Sequence, residues 1–264
     1  MIHRESGILN NFRINAVSNN IFPKNIIFLN LSRDAIFSIL ENESITSKDK
    51  VLMPDFMCHT LVDVVKSKTD QILTYSLNRD LSINENSFLH NIKQKPKIVF
   101  IVDYFGIITH VSMRIKELIL DKDVIVIRDM AHSFLTLHQY GYKVDNYSDY
   151  VVSSIYKSLK LYSGSILFVK NENRMFNKNY IGVFPVINGL VKNIIKEVLY
   201  YLGFNYKRIK TQCSSEEYLK KTYGFNIYFF YKFVLKKINI DQIVFNRNLV
   251  SIEFYKIMEK SHIV

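Results

Sequence analysis

The chain has 264 residues, of which 48% are hydrophobic, with only 8 glycines and 4 prolines. This composition can bury a sizeable core, so it excludes a disordered or low-complexity chain. The formal net charge of +11 would attract nucleic acid, anionic lipid or phosphorylated small molecules. Lysine and arginine form no compact cluster, however, so we do not expect a nucleic-acid interface. The length fits one large domain, or one domain and part of a second.

The cysteines and the apolar segments indicate the cellular compartment in which the protein is expected to reside. Cys58 and Cys213 are far apart and match no metal-binding spacing, so we expect neither a metal site nor a disulfide framework. Cys58 is expected to be a small buried hydrophobic residue. The N-terminus lacks the apolar core of a signal peptide. Charged residues interrupt the most apolar stretch, 184–204, which favours an amphipathic helix over a membrane span. Together these features predict a cytoplasmic protein.

Taken in chain order, the first 27 residues have no clear periodicity and are expected to form an N-terminal arm. Ser32 is predicted to be the N-cap of a helix over 33–42, because serine is favoured there and apolar residues recur on one helix face. The further predicted strands are 51–54, 72–76, 98–102, 124–128, 150–153 and 165–170. The further predicted helices are 57–67, 85–93, 110–120 and 241–260.

Alternation of strands with helices predicts an α/β architecture with a mostly parallel sheet. The run over 98–102 is continuously apolar, as expected of a strand that is buried on both faces. Beyond about residue 185 the pattern changes to long, aromatic-rich segments that are predicted to be helical.

Polar residues follow the ends of the predicted parallel strands and the start of the first helix. The carboxyl ends of parallel strands meet at one edge of a sheet, where open α/β sheets bind ligands. The residues expected to converge there are Ser32, Arg33, Asp103, Asp129, His132, Ser154 and Lys157.

These residue types suit an aldehyde cofactor that carries a phosphate. The amine of Lys157 can condense with an aldehyde, and Asp129 can keep a pyridine nitrogen protonated. A phosphate needs a helix N-terminus, hydroxyls and a cation, which Ser32, Arg33 and Ser154 would supply. The set therefore fits pyridoxal 5'-phosphate (PLP).

Each of these residues also has an ordinary structural interpretation. A lysine after a strand is commonly a solvated surface residue, and Asp129 can be a turn or cap residue. His132 can be a hydrogen-bonded interior histidine, Arg33 a surface charge, and the serines a cap and a turn residue. For Asp103, contact with a ligand and a role in its loop remain open.

Six segments occur in an order that is typical of one family. They are Leu31-SRDAI-Phe37, Val51-LMPDFMCHT-Leu61, Tyr75-SLNRDLSI-Asn84, Val102-DYFG-Ile107, Val126-IRDMAHS-Phe134 and Asp149-YVVSSIYKSLKLYSGSIL-Phe168. In this order they resemble the large domain of fold-type-I aminotransferases, specifically the DegT/DnrJ/EryC1/StrS family of sugar aminotransferases. The resemblance covers roughly residues 28–170.

The resemblance implies an α/β fold-type-I PLP-transferase large domain over 1–185, with a mostly parallel central sheet flanked by helices. It implies that 186–264 is a helical segment leading into an incomplete small C-terminal domain. Lys157 matches the family's Schiff-base lysine, Asp129 the aspartate that pairs with the pyridine nitrogen, and His132 a position near the cofactor ring. The matches to the family's phosphate-binding positions are Ser154, Ser32 and Arg33.

Two departures from the family pattern stand out. The family usually has a glycine pair in the turn after the lysine, whereas this chain has Ser163-Gly164-Ser165. The family often places an aromatic residue over the cofactor ring in the segment that matches Met57–Thr60, and this chain has Cys58 and His59 there.

The resemblance implies a PLP-dependent aminotransferase that moves an amino group from an amino acid, typically glutamate, onto a keto-sugar nucleotide. It also implies a homodimer that serves surface-polysaccharide or O-antigen synthesis. We expect no nucleic-acid partner and no membrane span. A shortened, non-catalytic relative that keeps the fold for binding or assembly is the alternative, because the matched C-terminal domain is short and the glycine turn is altered. A basic binder of nucleic acid or membrane surfaces is a third hypothesis.

Overall fold

The central sheet is built from short runs of β-branched, aliphatic and aromatic residues, the types that strands favour. The computed structural model of the chain describes residues 25–29, 31–121, 124–139, 145–159, 164–171, 235 and 238–260. Its strands are β1 (Ile26–Leu29), β2 (Val51–Pro54), β3 (Ile72–Tyr75), β4 (Ile98–Val102), β5 (Ile125–Asp129), β6 (Tyr150–Ser154) and β7 (Ser165–Val169).

Helices alternate with these strands along the chain. They are α1 (Ser32–Asn42), α2 (His59–Lys66), α3 (Glu85–Ile92), α4 (Met113–Asp121), α5 (Phe134–Gln139), α6 (Ile155–Ser158) and α7 (Ile240–Lys260), with a 3-10 turn at Tyr104–Gly106. The side chains of β4 alternate between two apolar layers, as the twofold period of a strand requires. Ile98 and Phe100 pack with α1 and α2, whereas Val99 and Ile101 pack with α3 and α4. Helices therefore cover both faces of the sheet.

The strand order is β1-β7-β6-β5-β4-β2-β3. Strands β3, β2, β4, β5 and β6 are mutually parallel, and β7 is antiparallel to both of its neighbours, β6 and β1. The predicted α/β class with a mostly parallel sheet is therefore confirmed. Strand β1 was missed, because it pairs with β7 and that pairing joins segments far apart in sequence.

The prediction that Ser32 is the N-cap of α1 is wrong. Leu31 holds that position in an extended conformation, with φ −138° and ψ 155°, and Ser32 is the first helical residue. The Asp34 carboxylate accepts a hydrogen bond of 3.0 Å from the backbone N–H of Leu31. A carboxylate three residues after the cap commonly makes this bond, which releases the Ser32 hydroxyl from a capping role.

The chain divides into two units, Lys24–Tyr228 and Met1–Pro23 with Phe229–Val264. The sheet and its helices belong to the first unit. In the second unit, the predicted helix over 241–260 is confirmed as α7. The predicted helix over 184–204 and the predicted domain boundary at residue 185 lie outside the described residues. Within the described part of the chain, no helix has the length and apolar character needed to cross a membrane.

Candidate functional site

A cleft with a volume of about 170 Å³ opens where the parallel strands β4, β5 and β6 end. This is the edge where the sequence placed its candidate residues. All of the predicted site residues line the cleft, and so does Asp103. They are Ser32, Arg33, Asp129, His132, Ser154 and Lys157.

Lys157 is carried into the cleft by α6, which begins directly after β6 ends at Ser154. The carbonyl oxygen of Gly164 accepts hydrogen bonds from the backbone N–H groups of Ile155 (2.9 Å) and Tyr156 (3.3 Å). Gly164 has a φ of +127°, a conformation that favours glycine. The carbonyl group of Gly164 therefore ties the first turn of α6, which carries Lys157, to the start of β7.

His132 faces the amine of Lys157, with 3.2 Å between Nε2 of the histidine and Nζ of the lysine. The ring of Phe105 stacks on the imidazole, with centroids 5.8 Å apart and an interplanar angle of 2°. Burial, and then the positive charge of Lys157, lower the pKa of His132. The imidazole is therefore neutral at neutral pH, and a ring nitrogen can accept a hydrogen bond from the lysine.

Asp129 is the last residue of β5 and lies buried on the floor of the cleft. Its Oδ1 accepts a hydrogen bond of 2.9 Å from the backbone N–H of Ala131. Burial raises the pKa of Asp129 to about 6, opposed by that hydrogen bond and by the positive charge of Lys157. At pH 7 Asp129 is thus a buried anion that a cationic ring nitrogen would stabilise.

Three serine hydroxyls meet in the interior beside the N-terminus of α1. The Oγ of Ser32 lies 2.5 Å from the Oγ of Ser154 and 3.2 Å from the Oγ of Ser165. Hydroxyls beside the N–H groups of a helix start form a suitable environment for a phosphate. The sequence predicted two of these serines. Ser165 was missed because its place opposite Ser154 depends on the antiparallel register of β6 and β7.

Asp103 lines the cleft and also has a structural role, so its contact with a ligand stays a prediction. Its carboxylate accepts two hydrogen bonds of 3.0 Å from Arg128, through Nε and Nη2, and one of 2.9 Å from the backbone N–H of Thr109. Arg128 also donates to the carboxylate of Asp145 (2.5 Å) and the hydroxyl of Tyr147 (2.9 Å). Burial raises the pKa of Asp103, although Arg128 opposes this. This buried cluster supports the ends of β4 and β5 behind the cleft.

The expectation that Cys58 is buried is wrong. The residue is exposed at the N-cap of α2, with its Sγ 3.2 Å from the Oγ1 of Thr60, because the chain turns outward after β2. The cleft is also lined by three aromatic residues that were not predicted, Phe56, Tyr104 and Tyr156. The ring centroids of Phe56 and Tyr104 lie 5.6 Å apart. The hydroxyl of Tyr104 donates a hydrogen bond of 2.6 Å to the carbonyl oxygen of Phe56. Tyr104 lies two positions after the predicted strand 98–102, and an aromatic residue so close to a strand end was the available signal.

The polar groups of the cleft suit an organic cofactor. An amine, a buried carboxylate and a hydroxyl cluster at a helix start correspond to the aldehyde, the ring nitrogen and the phosphate of PLP. Among the described residues, no group of three or more His, Cys, Asp or Glu side chains could hold a metal ion.

The fold and site define an α/β protein with a lysine-centred cleft at the edge of its parallel strands. Residues 21–214, well over half of the chain, match the family model of the DegT/DnrJ/EryC1/StrS aminotransferase family. The chain belongs to this family, which confirms the resemblance and, together with the sheet, the predicted fold-type-I architecture. No curated protein sequence is similar enough to the chain to count as a match.

Several solved structures are similar to parts of the chain. A DegT/DnrJ/EryC1/StrS aminotransferase from Brucella abortus is 20% identical, with a TM-score of 0.47 over 56% of this chain and 42% of its own. A candidate sugar aminotransferase from Streptococcus pneumoniae, in its PMP form, is 16% identical, with a TM-score of 0.48 over 60% and 43%. NtdA from Bacillus subtilis, with bound cofactor PMP, is 18% identical, with a TM-score of 0.47 over 56% and 34%. The chain thus spans less than half the length of each.

Proposed function

We propose that the chain binds PLP in this cleft through Lys157 and acts as a sugar aminotransferase. The observation that carries the proposal is the meeting of Lys157, Asp129 and the serine hydroxyls in one cleft of a family member. When bound, PLP acts as an electron sink that stabilises negative charge on a substrate carbon. Every other step depends on the side chains of the cleft.

Lys157 has two roles in this proposal. Its amine attaches the cofactor and, once an amino donor has displaced it, holds and returns the proton of the reacting carbon. The neutral imidazole of His132, 3.2 Å away, orients the amine and accepts a hydrogen bond from it. The contact with His132 holds the amine in one orientation at the cleft, and a positioned amine is what the proton transfer requires.

Asp129 and the phosphate-binding residues would hold the two ends of the cofactor. The buried carboxylate of Asp129 would keep the ring nitrogen protonated, which maintains the electron-accepting character of the ring. Arg33 and Ser154 would bind the phosphate through their side chains, and Ser32 would bind it through its backbone N–H at the start of α1. A cofactor held at both ends keeps a constant distance from Lys157 and His132.

The substrates and the setting are part of the same proposal. We infer an amino acid, glutamate in the first instance, as the donor and a keto-sugar nucleotide as the acceptor, in cytoplasmic synthesis of surface polysaccharide such as O-antigen. A homodimer would complete the site. Residues 1–185 would form the large domain, and 186–264 would lead into the small domain. Family membership and the likeness to a candidate sugar aminotransferase support these points.

An absorbance titration with PLP tests the proposal. The wild type should develop the band of a lysine-bound cofactor, and borohydride should abolish it. Lys157→Ala should show no such band, whereas Lys48→Ala, which alters an exposed lysine between α1 and β2, should behave like the wild type. Absence of the band in the wild type at saturating PLP would overturn the proposal.

A non-catalytic relative that keeps the fold for binding is the second candidate. It is favoured by the exposed position of Cys58, in the segment where the family often has an aromatic residue. Adding glutamate to the PLP-loaded protein separates the two candidates. An aminotransferase loses its lysine-bound band as the amino group moves to the cofactor, whereas a non-catalytic relative keeps the band.

A further inference from the structure

The three clustered serines, here called the serine relay, are Ser154, Ser32 and Ser165. All three are buried, and Ser165 has no exposed surface at all. Ser165 is the only one that does not line the cleft, because it lies behind Ser32. A serine hydroxyl has one proton to donate and two lone pairs with which to accept. The direction of each hydrogen bond in the relay can therefore be worked out from its fixed end.

The fixed end is at Ser165. Its hydroxyl lies 2.9 Å from the backbone carbonyl oxygen of Ser153, which can only accept, so Ser165 donates its proton there. The contact of 3.2 Å between Ser165 and Ser32 must then be donated by Ser32. The contact of 2.5 Å between Ser32 and Ser154 is in turn donated by Ser154. All three protons thus point in one direction, toward the carbonyl of Ser153.

This direction decides which hydroxyl can respond to an anion in the cleft. Ser32 is held from behind by Ser165, whereas Ser154 is at the open end of the relay. Ser154 can turn its proton from Ser32 to an anion without leaving a buried donor unpaired. Without the Ser165 hydroxyl, the Ser32 proton would no longer be held behind the cleft and could turn to Ser154 or to the anion. The directions of the two donors would then no longer be fixed.

We propose that Ser165 is a positioning residue for phosphate binding, acting through Ser32 on Ser154. The inference rests on the proposed function, because the phosphate is that of PLP. It concerns a residue at which this chain departs from the family's usual glycine pair. Glycine offers no hydroxyl, so the anchored relay would be a property of this chain rather than of the family.

Comparison of PLP with pyridoxal, which lacks the phosphate, isolates this role. We expect Ser165→Ala to weaken PLP binding about fivefold, the effect of one net hydrogen bond, and pyridoxal binding less than twofold. Ser165→Gly should do the same, and it provides a second variant if Ser165→Ala fails to fold. Inorganic phosphate should compete with PLP correspondingly less well in both variants.

Ser153→Ala is the matched control. The Ser153 hydroxyl is also buried and donates a hydrogen bond of 2.7 Å to the backbone carbonyl oxygen of Met130. This hydroxyl takes no part in the relay. This variant should change PLP and pyridoxal binding to the same extent. In a double variant with Ser32→Ala, Ser165→Ala should add no further loss, because it acts through Ser32.

The outcomes separate this inference from the proposed function. Equal effects of Ser165→Ala on PLP and pyridoxal, or no effect on PLP, would overturn the role of Ser165 and leave the PLP site intact. If the wild type binds no PLP, the proposed function fails. In that case, the affinities of the wild type and of Ser165→Ala for inorganic phosphate are compared directly. Equal affinities would overturn the positioning role of Ser165.

Discussion

Lys157 Nζ and His132 Nε2 lie 3.2 Å apart although 25 positions separate the two residues in the chain. They meet because β5 and β6 are adjacent and parallel, so the segments that follow them emerge side by side. Stacking by Phe105 on the far side of the imidazole restricts its rotation. The contact gives the proposed attachment lysine a neutral hydrogen-bond acceptor at a fixed position.

The first prediction concerns this contact. His132→Ala removes the acceptor, and we expect covalent attachment of PLP to slow by about tenfold or more, as for loss of a positioned proton-accepting group. His132→Gln, whose amide oxygen can accept from the lysine, should recover part of the rate. Stopped-flow absorbance measures both, and His90→Ala on the exposed face of α3 is the control. Equal rates for His132→Ala and the wild type would exclude the role.

The second prediction concerns Asp129. Its pKa of about 6 exceeds the ordinary value of 3.8, so between these pH values the folded protein holds a proton that the unfolded chain releases. The free energy of unfolding of the cofactor-free protein should therefore fall as pH rises through this window and remain lowered above pH 6. The loss is on the order of 3 kcal/mol, since one pKa unit is about 1.4 kcal/mol.

Asp129→Asn tests that dependence. The variant should lose this part of the pH dependence and, at pH 7.5, be at least as stable as the wild type in urea. PLP binding should nevertheless weaken by about tenfold or more, because the amide supplies no charge for the ring nitrogen. An unchanged pH dependence in the variant would show that Asp129 does not titrate there.

The third prediction concerns the buried ion pair behind the cleft. Asp103→Ala leaves Arg128 as a buried cation with fewer partners, and we expect a loss of about 3–5 kcal/mol in the free energy of unfolding. Arg114→Ala removes an exposed pair with Glu85, at 3.8 Å, and should cost below about 1 kcal/mol. Urea unfolding compares them, and equal costs would contradict the structural assignment of Asp103.

The strands of the sheet were predictable because burial on both faces leaves a continuous apolar run in the sequence. Strands β2 and β4 were predicted with their observed ends, and the other predicted strands differ by one residue at one or both ends. Strand β1 left no such signal, since its four residues are defined by pairing with β7. The N-cap of α1 was misassigned because Asp34, and not Ser32, makes the capping bond.

Asp129, His132, Ser154 and Lys157 were predictable from their positions at the ends of parallel strands, and Ser32 and Arg33 from their position at a helix start. Both kinds of position lie at one edge of the sheet, so the predicted set lines one cleft. The contacts between these residues were not predictable from the sequence. The pairing of Asp103 with Arg128 and the meeting of Ser165 with Ser32 depend on register between distant segments, which one sequence does not encode locally. The functional roles of these residues remain predictions.

Locating the cofactor on the chain tests the proposed role of Lys157. The protein is mixed with one equivalent of PLP, reduced with borohydride, digested and analysed by mass spectrometry. We expect the reduced cofactor on Lys157, and none on the exposed Lys48. If several lysines are modified and Lys157 is labelled no more than Lys48, Lys157 is not the attachment site. The absence of any modification would likewise contradict attachment of PLP at Lys157.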